Sequence, residues 1–196
     1  ETCMEIQPLT AEEKQILLRL ARDAIREALN GNPLPEIDLA TLPPRLQAKG
    51  AAFVTLTLHG QLRGCIGSLM AHRPLALDVQ QHAVDAAFDD PRFPPLTDLE
   101  FRSLRIEISV LSEPQPLIFS SPEELLQKLR PGVDGVVLER GWNRGTFLPQ
   151  VWEELPEPEE FLSHLSRKAG LPANAWRWPD IQIKVYQVEK FAEEPA

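Results

Sequence analysis

The sequence has almost no cysteine and no long apolar segment. Only two of its 196 residues are cysteines, Cys3 and Cys65, and two thiols cannot form the disulfide framework of a small secreted domain. No run of about 18 apolar residues occurs, so we expect no membrane span. The first residues also lack the basic and apolar regions of a secretory signal peptide. Together these absences predict a cytoplasmic protein.

Positive charge is also scarce. The chain has 20 lysines and arginines against 29 aspartates and glutamates, which gives a net charge of −9. Because nucleic acids and anionic membranes bind broad basic surfaces, we expect neither as a partner. The four histidines, His59, His72, His82 and His164, show no paired metal-ligand spacing. The sequence therefore predicts no metal site, and it contains no cofactor-binding fingerprint.

The composition is otherwise that of an ordinary folded protein. Hydrophobic residues make up 43% and charged residues 25% of the chain, which is typical of globular rather than disordered proteins. The length suffices for one large domain or for two small lobes with a hydrophobic core. The 19 prolines are nearly twice the usual share of about 5%, so we expect several stiff connections.

Hydrophobic periodicity and turn residues predict the same order of elements twice. The first half gives a helix capped by Thr10 and Glu13, a hairpin of residues 51–58 and 62–66 around His59-Gly60, a helix after Pro74 and a strand over Leu104–Leu111. The second half gives a helix after Ser121, strands over 133–138 and 146–148 around a turn at 141–145, a helix over 159–169 and a final strand over 181–188. Hairpin, helix and strand thus recur, which favours an α+β fold with mainly antiparallel sheets.

The most unusual segment is Leu62-Arg63-Gly64-Cys65-Ile66-Gly67. Two glycines beside a thiol allow backbone or ligand to approach closely. Arg63 could lower the pKa of the thiol or hold an anion, which would make Cys65 reactive. The alternative is a small buried cysteine in a strand, with the glycines serving a bulge. The spacing of the glycines also matches a nucleic-acid-clamping loop, but that loop needs a basic helical setting, so we reject it.

Several segments together resemble one known family. These are the glycine–cysteine segment, Asp89-Asp90-Pro91-Arg92-Phe93-Pro94-Pro95, Ile108-Ser109-Val110-Leu111, Phe147-Leu148-Pro149-Gln150-Val151 and Arg167-Lys168-Ala169-Gly170-Leu171. In this order they closely resemble the AMME-syndrome chromosomal-region gene product family, whose bacterial and archaeal members are called AmmeMemoRadiSam system protein A. The resemblance covers roughly residues 9 to 190.

The resemblance implies a fold and partners, but no established reaction. It implies an α+β fold of two unequal lobes around a cleft, built on a duplicated strand–helix unit. Residues 9–190 would form one domain of two intimately packed lobes, with tails at 1–8 and 191–196. It also implies association with a Memo-like protein and a radical S-adenosylmethionine enzyme.

The family signature falls on particular positions of this chain: Arg63, Gly64, Cys65, Ile66, Gly67, Asp90, Arg92, Phe93, Pro95, Pro149, Gln150, Lys168 and Gly170. One departure affects the chemistry. Many relatives carry a cysteine just before the Lys-Ala-Gly segment, where this chain has Ser166. Any thiol chemistry would then rest on Cys65 alone.

Some of these residues also have purely structural interpretations. Arg92 could pair with local carboxylates or act as a second cation beside Arg63. Lys168 could complement a helix dipole at the surface, and Phe93 is expected in the core. The segment Trp176-Arg177-Trp178-Pro179 is either a partner-binding aromatic patch or the packed edge of a lobe.

Two functional hypotheses follow. In the first, the protein is a cysteine-dependent enzyme acting on an anionic small molecule or a modified protein in the interlobe cleft. Cys65 would be the nucleophile, Arg63 its activator and a histidine its base, with binding residues Gly64, Gly67, Asp90, Arg92, Gln150 and Lys168. In the second, it is a non-catalytic adaptor or substrate-presenting partner of the radical enzyme and the Memo-like protein, because no full catalytic triad is visible in the sequence.

Overall fold

The computed structural model describes residues 7 to 195 and consists of two compact units. The first unit comprises the chain up to Ser112 together with the segment from Glu189 onward, and the second comprises Glu113–Val188. Cys3 lies outside the described residues. Within them, no helix is long and apolar enough to cross a membrane.

The helices and strands alternate along the chain. The helices are α1 (Ala11–Leu29), α2 (Pro44–Gln47), α3 (Leu75–Phe88), α4 (Asp98–Phe101), α5 (Pro122–Lys128) and α6 (Pro158–Lys168), with 3-10 turns at Leu39–Thr41, Pro149–Glu153 and Ala175–Arg177. The strands are β1 (Lys49–Leu58), β2 (Gln61–Gly67), β3 (Arg73–Pro74), β4 (Leu104–Leu111), β5 (Gln115–Pro116), β6 (Gly135–Arg140), β7 (Asn143–Phe147), β8 (Gln182–Tyr186) and β9 (Val188–Ala192).

The sheet of the first unit has one apolar and one mixed face. Its order is β2-β1-β4-β9, with the short β3 also pairing with β1. Val54 and Ile106 are fully buried against the layer that contains α1 and α3. Side chains alternate along a strand, so Thr55 and Cys65, which pair across β1 and β2, lie on the opposite face. Both are half-buried.

The second unit has its own core. Its sheet order is β5-β8-β6-β7. Trp152 stacks on Phe161 at 3.7 Å between ring centroids, and Leu138 and Ile183 pack in the same cluster. Trp176 is also buried there and donates from Nε1 to Ser163.

The predicted duplication is confirmed. In each unit the first strand of a hairpin lies between its hairpin partner and a third strand that follows a helix in the chain. In the first unit β1 lies between β2 and β4, and α3 precedes β4 in the chain. In the second unit β6 lies between β7 and β8, and α6 precedes β8. The pairings among these strands are antiparallel. The chain therefore has the α+β architecture with antiparallel sheets that the sequence predicts.

Two predicted element boundaries were wrong. The final strand expected over 181–188 ends at Tyr186, because β8 belongs to the second sheet and β9 then joins the first. The expected turn at 141–145 is shorter, since Gly145 already pairs with Leu138. Strand β9 continues to Ala192, and Phe191 packs against the first core.

Two glycines of β2 occupy positions where a side chain does not fit. A Cβ on Gly64 would overlap the carbonyl oxygen of Ala86 in the last turn of α3, and one on Gly67 would overlap the ring of Phe53. Opposite β1 the register shifts between Gly64 and Leu62, so Arg63 forms a bulge. The glycines therefore allow strand and helix to touch.

We predict that Gly64→Ala destabilises the protein by about 3 kcal/mol, because the new methyl group must displace helix backbone. Gly145→Ala is the matched control: its Cβ would lie 3.0 Å from the nearest atom, the amide nitrogen of Ala169, and should cost about 1 kcal/mol. Urea unfolding followed by far-UV circular dichroism measures both. Equal losses would contradict the close strand–helix contact at Gly64.

Candidate functional site

Cys65 lies on the edge strand of the first sheet with its thiol half-buried. It is a free cysteine, and its Sγ is 3.2 Å from Oγ1 of Thr55, the residue opposite on β1. Its backbone N–H donates to Oδ2 of Asp90 at 3.0 Å. Cys65 is therefore held from two sides, its thiol by a hydroxyl across the sheet and its backbone amide by the Asp90 carboxylate.

Asp90 connects the thiol strand to Arg92. The carboxylate accepts from Arg92 Nε at 3.0 Å and from Nη2 at 2.7 Å, and it also accepts the Arg92 backbone N–H. The side chain of Asp90 is 2% exposed, whereas that of Arg92 is 55% exposed. The pair thus has a buried anion and a cation that solvent and ligands can reach.

The charges of this pair stabilise each other. Hydrogen bonds from the Arg92 guanidinium and from the Cys65 backbone hold the pKa of Asp90 well below its usual range. The pKa of Arg92 is raised, mainly by its hydrogen bonds to Asp90. Both members of the pair are therefore charged.

Arg63 is buried and binds the segment after Arg92. Its Nε and Nη2 donate to the Glu100 carboxylate at 2.9 and 3.2 Å, and Nη2 also donates to the Pro94 carbonyl at 2.6 Å. The same pairing lowers the pKa of Glu100. Half-buried Phe93 lies 5.8 Å from the Arg63 guanidinium and 5.5 Å from that of Arg92. Arg63 therefore anchors the segment of Pro94 and Glu100 to β2. The expected activation of Cys65 by Arg63 stays a prediction.

Two expected binding residues belong to the second unit. Lys168 is exposed near the end of α6, and its Nζ donates to the Thr146 carbonyl at 2.9 Å. Gln150 is exposed in the 3-10 turn after Leu148. Ser166, the residue expected to depart from the family pattern, is fully buried and donates to the Leu162 carbonyl.

The histidines occupy different surroundings. His59 is exposed in the β1–β2 turn with a positive φ of 49°, and His72 and His164 are exposed. His82 is buried on α3, with Nε2 2.7 Å from Oγ of Ser68. Among the residues that the structure describes, no group of three potential ligands could hold a metal ion.

Four polar residues were not predicted from the sequence: Thr55, Asp78, Asp85 and Glu100. Asp78, His82 and Asp85 follow helical spacing and lie on one side of α3, so their periodicity was visible. Ser68, the partner of Asp78 and His82, is the first residue after β2. Glu100 is 37 residues from Arg63. No local pattern indicates such distant pairings.

Comparison with known proteins places this fold in a family. The AMMECR1 family model matches residues 18–191. The chain belongs to the AMMECR1 family. A protein of Methanothermobacter thermautotrophicus is 40% identical, with 97% of this chain and 100% of the relative covered. One from Thermofilum pendens is 41% identical, with 94% and 92% covered.

The AMMECR1 assignment agrees with a solved structure. The crystal structure of the uncharacterized protein PH0010 from Pyrococcus horikoshii superimposes with a TM-score of 0.76 at 38% identity, covering 95% of this chain and 94% of that one. The resemblance expected from the sequence motifs is therefore confirmed as far as family and fold are concerned.

The Asp90–Arg92 pair predicts a pH-dependent stability difference. Asp90→Asn should lower the melting temperature at pH 7 by roughly 3 to 6 °C, about 1 to 2 kcal/mol. Because the pKa of Asp90 is lowered on folding, its contribution is complete above the unfolded value near 4 and is lost as the pH falls below it. The difference between wild type and Asp90→Asn should therefore shrink between pH 5 and pH 2, as followed by calorimetry. A difference that stays constant over this range would show that the ionised carboxylate is not what stabilises the site.

Proposed function

We propose that this AMMECR1 protein is a thiol-dependent component of an AmmeMemoRadiSam system, with Cys65 as the reacting group and Arg92 as the group that binds an anionic substrate. The observation that supports this most is the half-exposed Arg92 guanidinium, whose buried partner Asp90 also accepts the backbone N–H of Cys65. In a chain with a net charge of −9, such a cation offers a local site for a carboxylate or phosphate.

The geometry suits a substrate that carries both an anionic group and an electrophilic carbon. Asp90 occupies Nε and Nη2 of Arg92, which leaves Nη1 for the anion. The thiolate attacks the carbon, a sulfur–carbon bond forms, and the leaving group departs with its bonding pair. The thiol proton passes to water. Thr55 Oγ1, 3.2 Å from the sulfur, orients the thiol and can donate to the thiolate.

We extend the proposal to partners. A Memo-like protein and a radical S-adenosylmethionine enzyme would supply or take over the group carried on Cys65. Support comes from membership of the AMMECR1 family and from the motif resemblance. The adaptor alternative keeps one argument in its favour: among the described side chains, only Thr55 forms a hydrogen bond with the Cys65 sulfur, so no imidazole base is present. Co-purification of both partners with Cys65→Ser as well as with wild type would favour the adaptor.

Alkylation by a charged and a neutral reagent tests the Arg92 assignment. In a Cys3→Ser background, we compare the rates of Cys65 with iodoacetate and iodoacetamide by intact-protein mass spectrometry. Loss of one positive charge near the sulfur is worth about 1 kcal/mol. Arg92→Gln should therefore lower the iodoacetate-to-iodoacetamide rate ratio about fivefold.

Arg130→Gln is the matched control. Arg130 is 60% exposed and pairs with buried Asp134 at 2.9 Å, but it belongs to the second unit. It should leave the ratio unchanged. The proposal fails if Arg92→Gln also leaves the ratio unchanged, or if Cys65 reacts only after the protein unfolds.

A further inference from the structure

A serine, a histidine and a carboxylate form a hydrogen-bonded chain at the end of β2. Ser68 is the first residue after the strand, and His82 and Asp85 lie on α3. Ser68 Oγ is 2.7 Å from His82 Nε2, and His82 Nδ1 is 3.3 Å from Asp85 Oδ2. This is the order in which a hydroxyl nucleophile contacts its base and the base contacts an orienting carboxylate.

The histidine is the least exposed of the three hydrogen-bonded side chains. The His82 side chain is 10% exposed and that of Asp85 is 24% exposed, while Ser68 is half-buried. Hydrogen bonds at both ring nitrogens fix the imidazole. Ser68 is therefore more exposed than the histidine that it contacts.

Two further charges act on the imidazole. Asp78 is fully buried and accepts from the Ala52 N–H and from Arg73 Nε, at 3.0 and 2.8 Å. Its Oδ1 lies 3.3 Å from His82 Nε2, as does Nη2 of Arg73. Burial raises the pKa of Asp78, but hydrogen bonds from His82, Arg73 and Ala52 lower it overall, so the carboxylate stays charged. A proton received by His82 thus lies between two carboxylates, those of Asp78 and Asp85.

The hydrogen-bond donors of His82 and Ser68 allow two states of the Ser68–His82–Asp78 cluster. With His82 protonated, Nε2 donates to Ser68 and the Ser68 hydroxyl donates to Asp78 Oδ1, 3.1 Å away, so the cluster acts only as a structural clamp. With His82 neutral and its proton on Nδ1, Nε2 accepts the hydroxyl proton of Ser68. The nucleophilic state therefore requires a neutral His82, whereas a purely structural cluster does not.

The loop after Ser68 offers an oxyanion donor and an apolar surface. In the part of the chain that the structure describes, the Leu69 amide has no hydrogen-bond acceptor. The amide after a nucleophilic serine commonly stabilises the developing oxyanion. The Leu69 and Met70 residues are 40% and 57% exposed, so an apolar acyl group can contact them.

We propose that Ser68 is the nucleophile of a second site, which transfers apolar acyl groups from esters to water. His82 takes the hydroxyl proton as Oγ attacks the ester carbonyl carbon, and the alcohol leaves with that proton. Water then attacks the acyl-serine with His82 again as base, which releases the carboxylic acid and restores Ser68. Asp85 is the positioning residue for His82, and Cys65 takes no part.

An alkyl fluorophosphonate tests the nucleophile directly. It bonds phosphorus to an activated serine Oγ with loss of fluoride. We expect one adduct on wild type, mapped to Ser68 by peptide mass spectrometry, and none on Ser68→Ala. His82→Gln should slow labelling at least 100-fold, about the contribution of a general base. Ser103→Ala, a change at an exposed serine, should label as wild type does.

The pH profile separates catalysis from a structural role. The wild-type labelling rate should rise through about pH 5 to 8, the range in which histidines lose their proton. Asp85→Asn should slow labelling and displace this profile. A Ser68 adduct absent at every pH up to 9, an adduct at another residue, or a rate independent of pH would overturn the proposal. Since the profile uses wild type, it decides the question even if the His82 variant does not fold. Hydrolysis of p-nitrophenyl butyrate by wild type and its loss in Ser68→Ala complete the test.

Discussion

The approach of strand β2 to the last turn of helix α3 is the contact on which both sites depend. Gly64 has no side chain and lies against the Ala86 carbonyl. Helix α3 ends at Phe88, two residues after Ala86, and Asp90 then reaches the Cys65 backbone at the sheet edge. The same helix carries His82 toward Ser68, just beyond the strand. A larger residue at position 64 would separate strand from helix and so move both sites.

The internal duplication repeats this packing in the second unit without the thiol. In the second unit Gly145 lies against the backbone of α6, near Ala169 and Leu165. By register, Thr146 pairs with Val137 as Cys65 pairs with Thr55. The Thr146 hydroxyl is 3.3 Å from the Tyr186 hydroxyl. One frame thus serves both units, and the residue after the glycine decides whether a thiol is present.

Local signals allowed the elements to be predicted, whereas pairings distant in sequence could not be. The capping box of Thr10 and Glu13 forms as expected, because it depends on neighbours three residues apart. The prediction of one strand over 181–188 was wrong, because the sheet that a strand joins depends on partners distant in sequence. Arg63 was expected to act on its neighbour Cys65, yet its carboxylate partner is Glu100. The unusual glycine–cysteine segment pointed to Cys65, but only the fold shows that Asp90 accepts its backbone N–H.

The Asp90–Arg92 pair also limits how the thiol site can select a ligand. Because a buried carboxylate neutralises Arg92 at 2.7 Å, the pair acts at a distance as a dipole rather than as a full charge. Its attraction for an anion falls steeply with distance, and the net charge of −9 opposes long-range steering. An anionic ligand therefore gains from Arg92 only on direct contact with the guanidinium. Selection at this site rests on hydrogen-bond geometry, which favours a planar carboxylate or a phosphate group over a diffuse negative charge.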